Sequence, residues 1–515
     1  MMKKRVRTFS GTPIKSESDR EVKNRKIARI AAEEGIVMLK NESILPLDKS
    51  KPIALFGSGA CCTVKGGTGS GDVCERQSVS IYEGMERAGF VITSRRWLED
   101  FKATWIKTRE DWKKQILEEA QKPGAPMFFD VYSSHPFVMP DGNIITREDL
   151  QDAKTAVYVI SRIAGEGKDR KAEIGDYFLS DKENRDLHIL AELCENIIVL
   201  INAGTQIDLE TILSIPQIKA ILNISQPGME GGNAVANILS GKTVPSGKLT
   251  DTWGKRYRDF PNADTFAYLK DGQLNEEYTE GIFVGYRYFE AFHKEVEFPF
   301  GFGLSYTAFS ITMDHLTVEK NNIWMDLTVQ NTGNNFSGKE VVQVYVSCPQ
   351  SIDKEIKKLC AFGKTKLLAP GEKETLQLTC QLKDFAYFDK DQAAWVLDKG
   401  DYYILIGADS SNVSVEAVIH CENRYILETV KHICPLEYEL EEQKPDRKYI
   451  QKIREKLAFE VLKKGMKPIE LVPEQKEKKP NPKNLYRIMA ESLVEKLSAE
   501  QLKAMVVGEI SRGHD

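Results

Sequence analysis

The chain has 515 residues, 41% of them hydrophobic and 29% charged, with a formal charge of -5 at pH 7. That composition is ordinary for a soluble protein, the length argues for about three domains, and the small net charge points to neither nucleic acid nor an anionic membrane as a partner. Nine cysteines include no CxxC pair, the closest being Cys61 and Cys62, and seven histidines show no zinc spacing, so inert reduced thiols and no metal site are expected. The N-terminal stretch MMKKRVRTFSGTPIKSESDR lacks the apolar core of about 7 to 15 residues that a secretory signal needs. No run approaches the roughly 18 apolar residues of a membrane span, and a cytoplasmic location is the expectation.

After an N-terminal extension, 1–23, residues 24 to 47 begin with helical periodicity (Ile27, Ile30, Ala31, then Ile36 and Val37) and close on a polar turn. Pro52 to Gly57 then reads as a buried strand that leads to the loop Lys65-Gly66-Gly67-Thr68-Gly69-Ser70-Gly71-Asp72. A nucleotide site would need GxGxxG directly after the strand, or a closing Gly-Lys-Ser or Gly-Lys-Thr; here Gly57-Ser58-Gly59 runs into Ala60, Cys61 and Cys62, and a flexible surface loop is the simpler reading. Ser80 to Gly89 predicts an amphipathic helix and Phe90 to Ile92 a strand, while the charged, partly helical stretch 95–150 reads as an insertion.

The apolar run Ala156 to Ile160 is a buried strand that empties at Ser161 into Gly165-Glu166-Gly167-Lys168-Asp169-Arg170. A strand ending in a charged, glycine-rich loop delivers side chains to the carboxyl edge of a sheet, where open α/β folds bind ligands. A helix from Lys182 to Cys194, a strand from Ile197 to Ile201, a short helix near Leu209 to Leu213, a strand from Ile218 to Ile224 and a helix from Asn233 to Leu239 complete the alternation. This argues for a parallel sheet covered on both faces, over residues 24–253. Residues 254–306 read as an irregular aromatic linker. About seven short strands within about 115 residues then predict an immunoglobulin-like sandwich over 307–422. A helical, charged linker is expected over 423–484, and one amphipathic helix from Leu485 to Met505.

Several stretches, in this order, resemble glycoside hydrolase family 3: Ala31 to Glu42, the GGTGSGDV loop, GEGKDR, the run QPGMEGGNAVANILSGKTVPSGKL, and GYRYF followed by FPFGFGLSYT. The resemblance implies a multidomain α/β plus all-β chain: an (α/β)6 sandwich followed by a fibronectin type III-like β-sandwich, then a helical segment. It also implies the domain order in which the (β/α)8 barrel comes last, with residues 485–515 as the start of a truncated barrel domain. β-Glucosidase-type hydrolysis of terminal O-glycosyl bonds is the expected activity, with a small β-glucoside or oligosaccharide as substrate, the barrel domain of the same enzyme as partner, and no cofactor.

A retaining glycosidase uses two carboxyl groups about 5 to 5.5 Å apart, one a nucleophile and one an acid that later acts as base. In the family the nucleophile is a barrel aspartate, so the chain as given is expected to be nearly inactive alone. The acid/base comes from the loop that is GEGKDR here, which makes Glu166 the candidate, with Glu173 as second choice. The Lys65 to Asp72 loop matches one that borders the sugar cleft, with Lys65, Ser70 and Asp72 as substrate-binding candidates, while Asp169 and Arg170 are expected to hold the acid/base loop in shape. The alternative is a non-catalytic carbohydrate-binding or assembly module derived from such an enzyme.

Overall fold

A computed structural model describes residues 14–67, 73, 75–135, 137–163, 170–266, 277–349, 353–431, 436, 438–474 and 485–507. It divides into two compact units, 1–472 and 473–515. Among the described residues no helix is long and apolar enough to cross a membrane.

The first unit begins with α1 (Asp19–Gly35), β1 (Val37–Asn41), β2 (Pro52–Phe56), α2 (Ile81–Arg87), β3 (Val91–Ile92) and α3 (Arg95–Ala120). It continues through α4 (Phe128–Ser134), α5 (Arg147–Leu150), β4 (Thr155–Ser161), α6 (Asp181–Leu193), β5 (Asn196–Asn202), α7 (Glu210–Ser214), β6 (Ile218–Asn223) and α8 (Gly231–Leu239). Helices α1, α2 and α6 start alike: Ser18, Ser80 and Ser180 each cap a backbone N–H, and Glu21, Glu83 and Glu183 return a bond to the serine N–H. Helices α2 and α8 touch through glycines: a Cβ on Gly84 would lie 2.1 Å from the carbonyl oxygen of Gly232.

The six strands run in the order β1-β6-β5-β4-β2-β3, all parallel except β1, which pairs antiparallel with β6. Strands β4 and β5 are buried almost throughout, as an apolar run covered on both faces must be. The chain leaves β2 for β3 on one side and then crosses to β4 on the other, so the strand order reverses between β2 and β4. That reversal opens a crevice at the strands' carboxyl ends, the usual ligand position in open α/β sheets.

The structure corrects the reading of 24–47. The helix stops at Gly35; of Ile36 and Val37, which extend its periodicity on paper, Ile36 is the buried C-cap and Val37 the buried first residue of the edge strand β1. A short apolar run fits either period, and pairing with β6 decides it.

The stretch 254–306 is also more than a linker. It holds β7 (Trp253–Gly254), α9 (Tyr286–Ala291) and β8 (Val296–Phe298), and it has an aromatic core of Phe283, Tyr288 and Phe289. It folds back on the sandwich, with Leu304 N–H donating to Met38 O at 2.9 Å and Tyr306 hydroxyl to Ile238 O at 2.9 Å.

The all-β part contains β9 (Phe309–Glu319), β10 (Asn322–Asn331), β11 (Val341–Ser347), β12 (Lys358–Lys364), β13 (Lys373–Gln381), β14 (Tyr387–Asp389), β15 (Ala394–Leu397), β16 (Gly400–Gly407), β17 (Val413–Cys421) and β18 (Tyr425–Thr429). Its sheets run β13-β10-β9, β14-β15-β18 and β12-β11-β16-β17, with β19 (Ile469–Glu470) added parallel to β17. Alternating residues such as Ile323, Met325, Leu327 and Val329 of β10 enter a shared core with Val342, Val344 and Val346 of β11.

Residues 447–472 are therefore no linker either. Helix α10 (Arg447–Lys464) buries Ile450, Leu457 and Val461 against the β-rich core and turns most of its charges outward, Arg454 excepted, whose guanidinium donates to Asp401 O at 3.0 Å; its composition therefore reads as solvated. In the second unit the single helix expected from Leu485 to Met505 is two, α11 (Leu485–Val494) and α12 (Ala499–Val507). Ser498 restarts the helix by accepting from Gln501 N–H at 3.2 Å and donating its own N–H to Gln501 Oε1 at 2.9 Å.

Candidate active site

A cleft of about 320 Å³ opens where the strand order reverses. It is lined by Gly57 and Ser58 after β2, by Ser161, Arg162 and Ile163 at the end of β4, by Asp176 on the turn before α6, by Ser180 and Glu183 at the start of α6, and by Trp97, Phe101 and Phe137 to Asp141 from the 95–150 stretch.

One buried asparagine ties the strand ends together. Asn202, the last residue of β5, accepts from Val64 N–H at 2.7 Å and Ser161 hydroxyl at 3.0 Å, and donates to Val64 O at 2.9 Å and Ser225 O at 2.7 Å. The ends of β4 and β5, the turn after β6 and the loop after β2 thus share one side chain with every polar atom satisfied. The loop entering the Lys65 stretch is fixed at its base, and Gly228 N–H adds a bond to Lys65 O at 2.9 Å.

A second network brackets residues 164–169. Arg162 is only 6% exposed and forks onto Glu183, with Nη1 and Nη2 at 2.7 and 2.8 Å from the two carboxylate oxygens. Its Nε donates to Asp176 O at 2.6 Å. From the other side, Arg170 Nη2 donates to the same Asp176 carbonyl at 2.9 Å, its Nε pairs with Asp176 Oδ1, and its Nη1 reaches Thr205 hydroxyl at 2.8 Å. The Asp176 carboxylate also accepts Lys171 N–H at 2.6 Å. Arg162, three residues before the GEGKDR stretch, and Arg170, its last residue, therefore converge on one backbone carbonyl. Bidentate arginine–carboxylate geometry with low exposure gives such a clamp rigidity.

Beneath the cleft, Tyr158 donates to Asp186 Oδ2 at 3.1 Å, and burial together with the Asp186 carboxylate holds its phenol well above the usual range. Lys182 pairs with the same Asp186 oxygen at 2.5 Å and lies over the Trp97 ring, 5.7 Å from its centroid.

Of the residues singled out by sequence, Glu166, Asp169, Ser70 and Asp72 lie outside the described residues. Lys65 does not line the cleft: its ammonium pairs with Glu75 and donates to Val73 O at 2.8 Å. Glu173 sits on the turn closed by Asp176 and Phe178 N–H bonds to its carbonyl, with an exposed side chain 3.9 Å from Lys171 Nζ, and is not a cleft-lining residue. Arg162, Asn202, Asp176 and Glu183 were missed from sequence. An arginine directly after an apolar strand, and a Ser-x-x-Glu capping box downstream, are the available signals for two of them. Among the described residues no three His, Cys, Asp or Glu side chains could hold a metal ion.

Residues 36–306 match the glycosyl hydrolase family 3 C-terminal domain, and residues 340–410 match the fibronectin type III-like domain. The chain belongs to glycoside hydrolase family 3: an α/β sandwich followed by a fibronectin type III-like β-sandwich, of the β-glucosidase-like kind. It is similar to β-glucosidase A of Butyrivibrio fibrisolvens, 32% identical over 452 residues covering 78% of this chain and 52% of that protein. A β-glucosidase of Ruminococcus albus is 34% identical over 395 residues, covering 75% and 39% respectively. The structure of β-glucosidase 3B from Thermotoga neapolitana in complex with α-D-glucose superposes with a TM-score of 0.67 at 34% identity, over 80% of this chain and 56% of that one. The chain thus spans about half the length of the relatives it matches.

Proposed function

We propose that this chain supplies the acid/base half of a retaining β-glucosidase active site, and that a (β/α)8 barrel supplies the nucleophile, with residues 485–515 as the start of that barrel domain. Glu166 protonates the glycosidic oxygen as the barrel carboxylate attacks the anomeric carbon and the aglycone departs. The resulting Glu166 carboxylate then takes a proton from the water that displaces the enzyme carboxylate, restoring both groups. The observation that carries this reading is the convergence of Arg162 and Arg170 on the Asp176 carbonyl, which fixes both ends of the loop that would hold the acid at the sheet's ligand-binding edge. Relatives of known structure hold glucose, which supports a glucoside substrate. Glu173 is the second candidate for the acid/base.

The division of labour is tested with a 2-deoxy-2-fluoro-β-glucosyl inactivator, which stalls the glycosyl–enzyme on the nucleophile. The label is expected on a barrel peptide of the complete enzyme, with residues 1–515 alone unlabelled and inactive on aryl β-glucosides. A label within 1–484, or turnover by the isolated chain, overturns it.

A further inference from the structure

The stretch between β3 and β4 is not needed to complete the sheet, yet part of it lines the cleft. Helix α3 carries Trp97, Phe101, Trp105 and Trp112 on one face. The Trp97 and Phe101 rings stack at 5.5 Å, 4° from parallel. Trp112 donates its indole N–H to His135 O at 2.8 Å, and Trp97 donates its own to Asn143 O at 2.9 Å. Between those anchors Phe137 packs edge-on against Trp105 and Trp112 at 6.2 and 5.5 Å, with the Arg109 guanidinium 5.7 Å from its ring. At Gly142 a Cβ would stand 2.6 Å from Trp97, so only glycine lets the backbone lie this close.

Residues 137–143 are thus a strap tied to α3, and its Val138 and Met139 line the cleft beside Arg162, Ile163 and Asp176. Val138 is 74% exposed, an apolar side chain with little protein cover at the rim of a ligand cleft. Most charged groups lining the same cleft are engaged with one another or with their neighbours: Arg162 with Glu183, Asp176 with Arg170 and Lys171, Lys182 with Asp186, while Asp141 lies exposed at the far end of the strap. The engaged groups have little to offer a second sugar, whose hydroxyls would lose water without new partners.

We propose that the strap is the leaving-group subsite and selects β-glucosides of apolar alcohols, alkyl or aryl, over disaccharides. The inference rests on the acid/base reading of Glu166: the proton goes to the leaving-group oxygen, so the wall facing Arg162, Ile163 and Asp176, which bracket that stretch in sequence, is taken as the aglycone side.

Methyl, butyl and hexyl β-D-glucosides release alcohols of similar acidity, so kcat/KM along the series reports aglycone burial. With about 0.8 kcal/mol per buried methylene, the complete enzyme is expected to gain roughly two- to fourfold per methylene. The Val138→Ser, Met139→Ser double variant is expected to lose most of that gain, and Met139→Leu to keep it. A flat series, or a slope that the serine variant retains, overturns the proposal. Glu166→Gln separates the two readings: lost turnover beside a flat series rejects the strap and keeps the acid/base, whereas undiminished turnover with the slope intact rejects the acid/base.

Discussion

Arg162→Met removes the guanidinium that joins the end of β4 to the start of α6 while keeping a side chain of similar length. Glu183 then keeps its bond from Ser180 N–H at 2.9 Å but loses two bonds of 2.7 and 2.8 Å at a site where both partners are buried. An exposed pair would be worth about 0 to 1 kcal/mol. Breaking a buried one from a single side costs about 3 to 5 kcal/mol, because a carboxylate is left without its counter-charge. The Asp176 carbonyl keeps its bond from Arg170 but loses the one from Arg162, which adds to the loss. With a urea m-value of about 3 kcal/mol/M, the midpoint of the fluorescence-detected transition should fall by about 1 to 2 M. The double variant Arg162→Met, Glu183→Gln removes the orphaned charge and should recover at least half of that shift. A single-variant shift below about 0.3 M, or a double variant no better than the single, would refute the claim that this pair holds the loop base.

Gly84→Ala drives a Cβ into the Gly232 carbonyl and should cost about 1 to 3 kcal/mol by overpacking, seen as a lowered urea midpoint. Gly35→Ala, where a Cβ meets open space, should not lower it, and equal effects at the two sites would contradict the packing argument. His420 on β17 is raised above its ordinary value first by its bond to Asp401, 2.7 Å away, and then by Glu422. A raised folded pKa means that the imidazolium's contribution is fully present below about pH 6.5 and is lost as pH rises through the folded value. Thermal scans should therefore show His420→Gln closing its gap to the parent above neutrality, and a gap independent of pH would count against the pairing. Cys360 on β12 and Cys380 on β13 place their sulfurs 2.9 Å apart across the β-sandwich. Oxidised glutathione should take two electrons and two protons from this pair, giving two glutathiones and a disulfide. Closing a loop of about 20 residues this way should add roughly 3 kcal/mol. Peptide mapping that finds both thiols free after oxidation would contradict it.

How legible each feature is in the sequence follows from the range of the interaction that makes it. Strands β4 and β5 are visible because a doubly covered parallel strand is an unbroken apolar run, and β10, β11 and β16 because a sandwich strand alternates or packs on both faces. The edge strand β1 is hidden because apolar residues directly after a helix continue its period, and only the pairing of Val37 and Met38 with β6 decides against it. Helix α10 is disguised by its own solvent face. The site divides in the same way. A loop after a strand is a local signal, but the clamp on it joins residues 14 and 21 positions apart, and the Asn202 knot spans 138, distances over which composition and spacing carry nothing. The thiol pair was likewise invisible without the β12–β13 packing.

The proposed acid/base role of Glu166 is tested by Glu166→Gln in this chain joined to the barrel proposed to complete it, assayed on an unactivated β-glucoside and, with azide present, on an activated aryl β-glucoside. kcat/KM on the unactivated substrate is expected to fall by about 10² to 10⁴. Azide is expected to accelerate turnover of the aryl glucoside with β-glucosyl azide as product, since azide needs no general base to attack. Unchanged activity in this variant, or the same loss and rescue in Glu173→Gln instead, would contradict it.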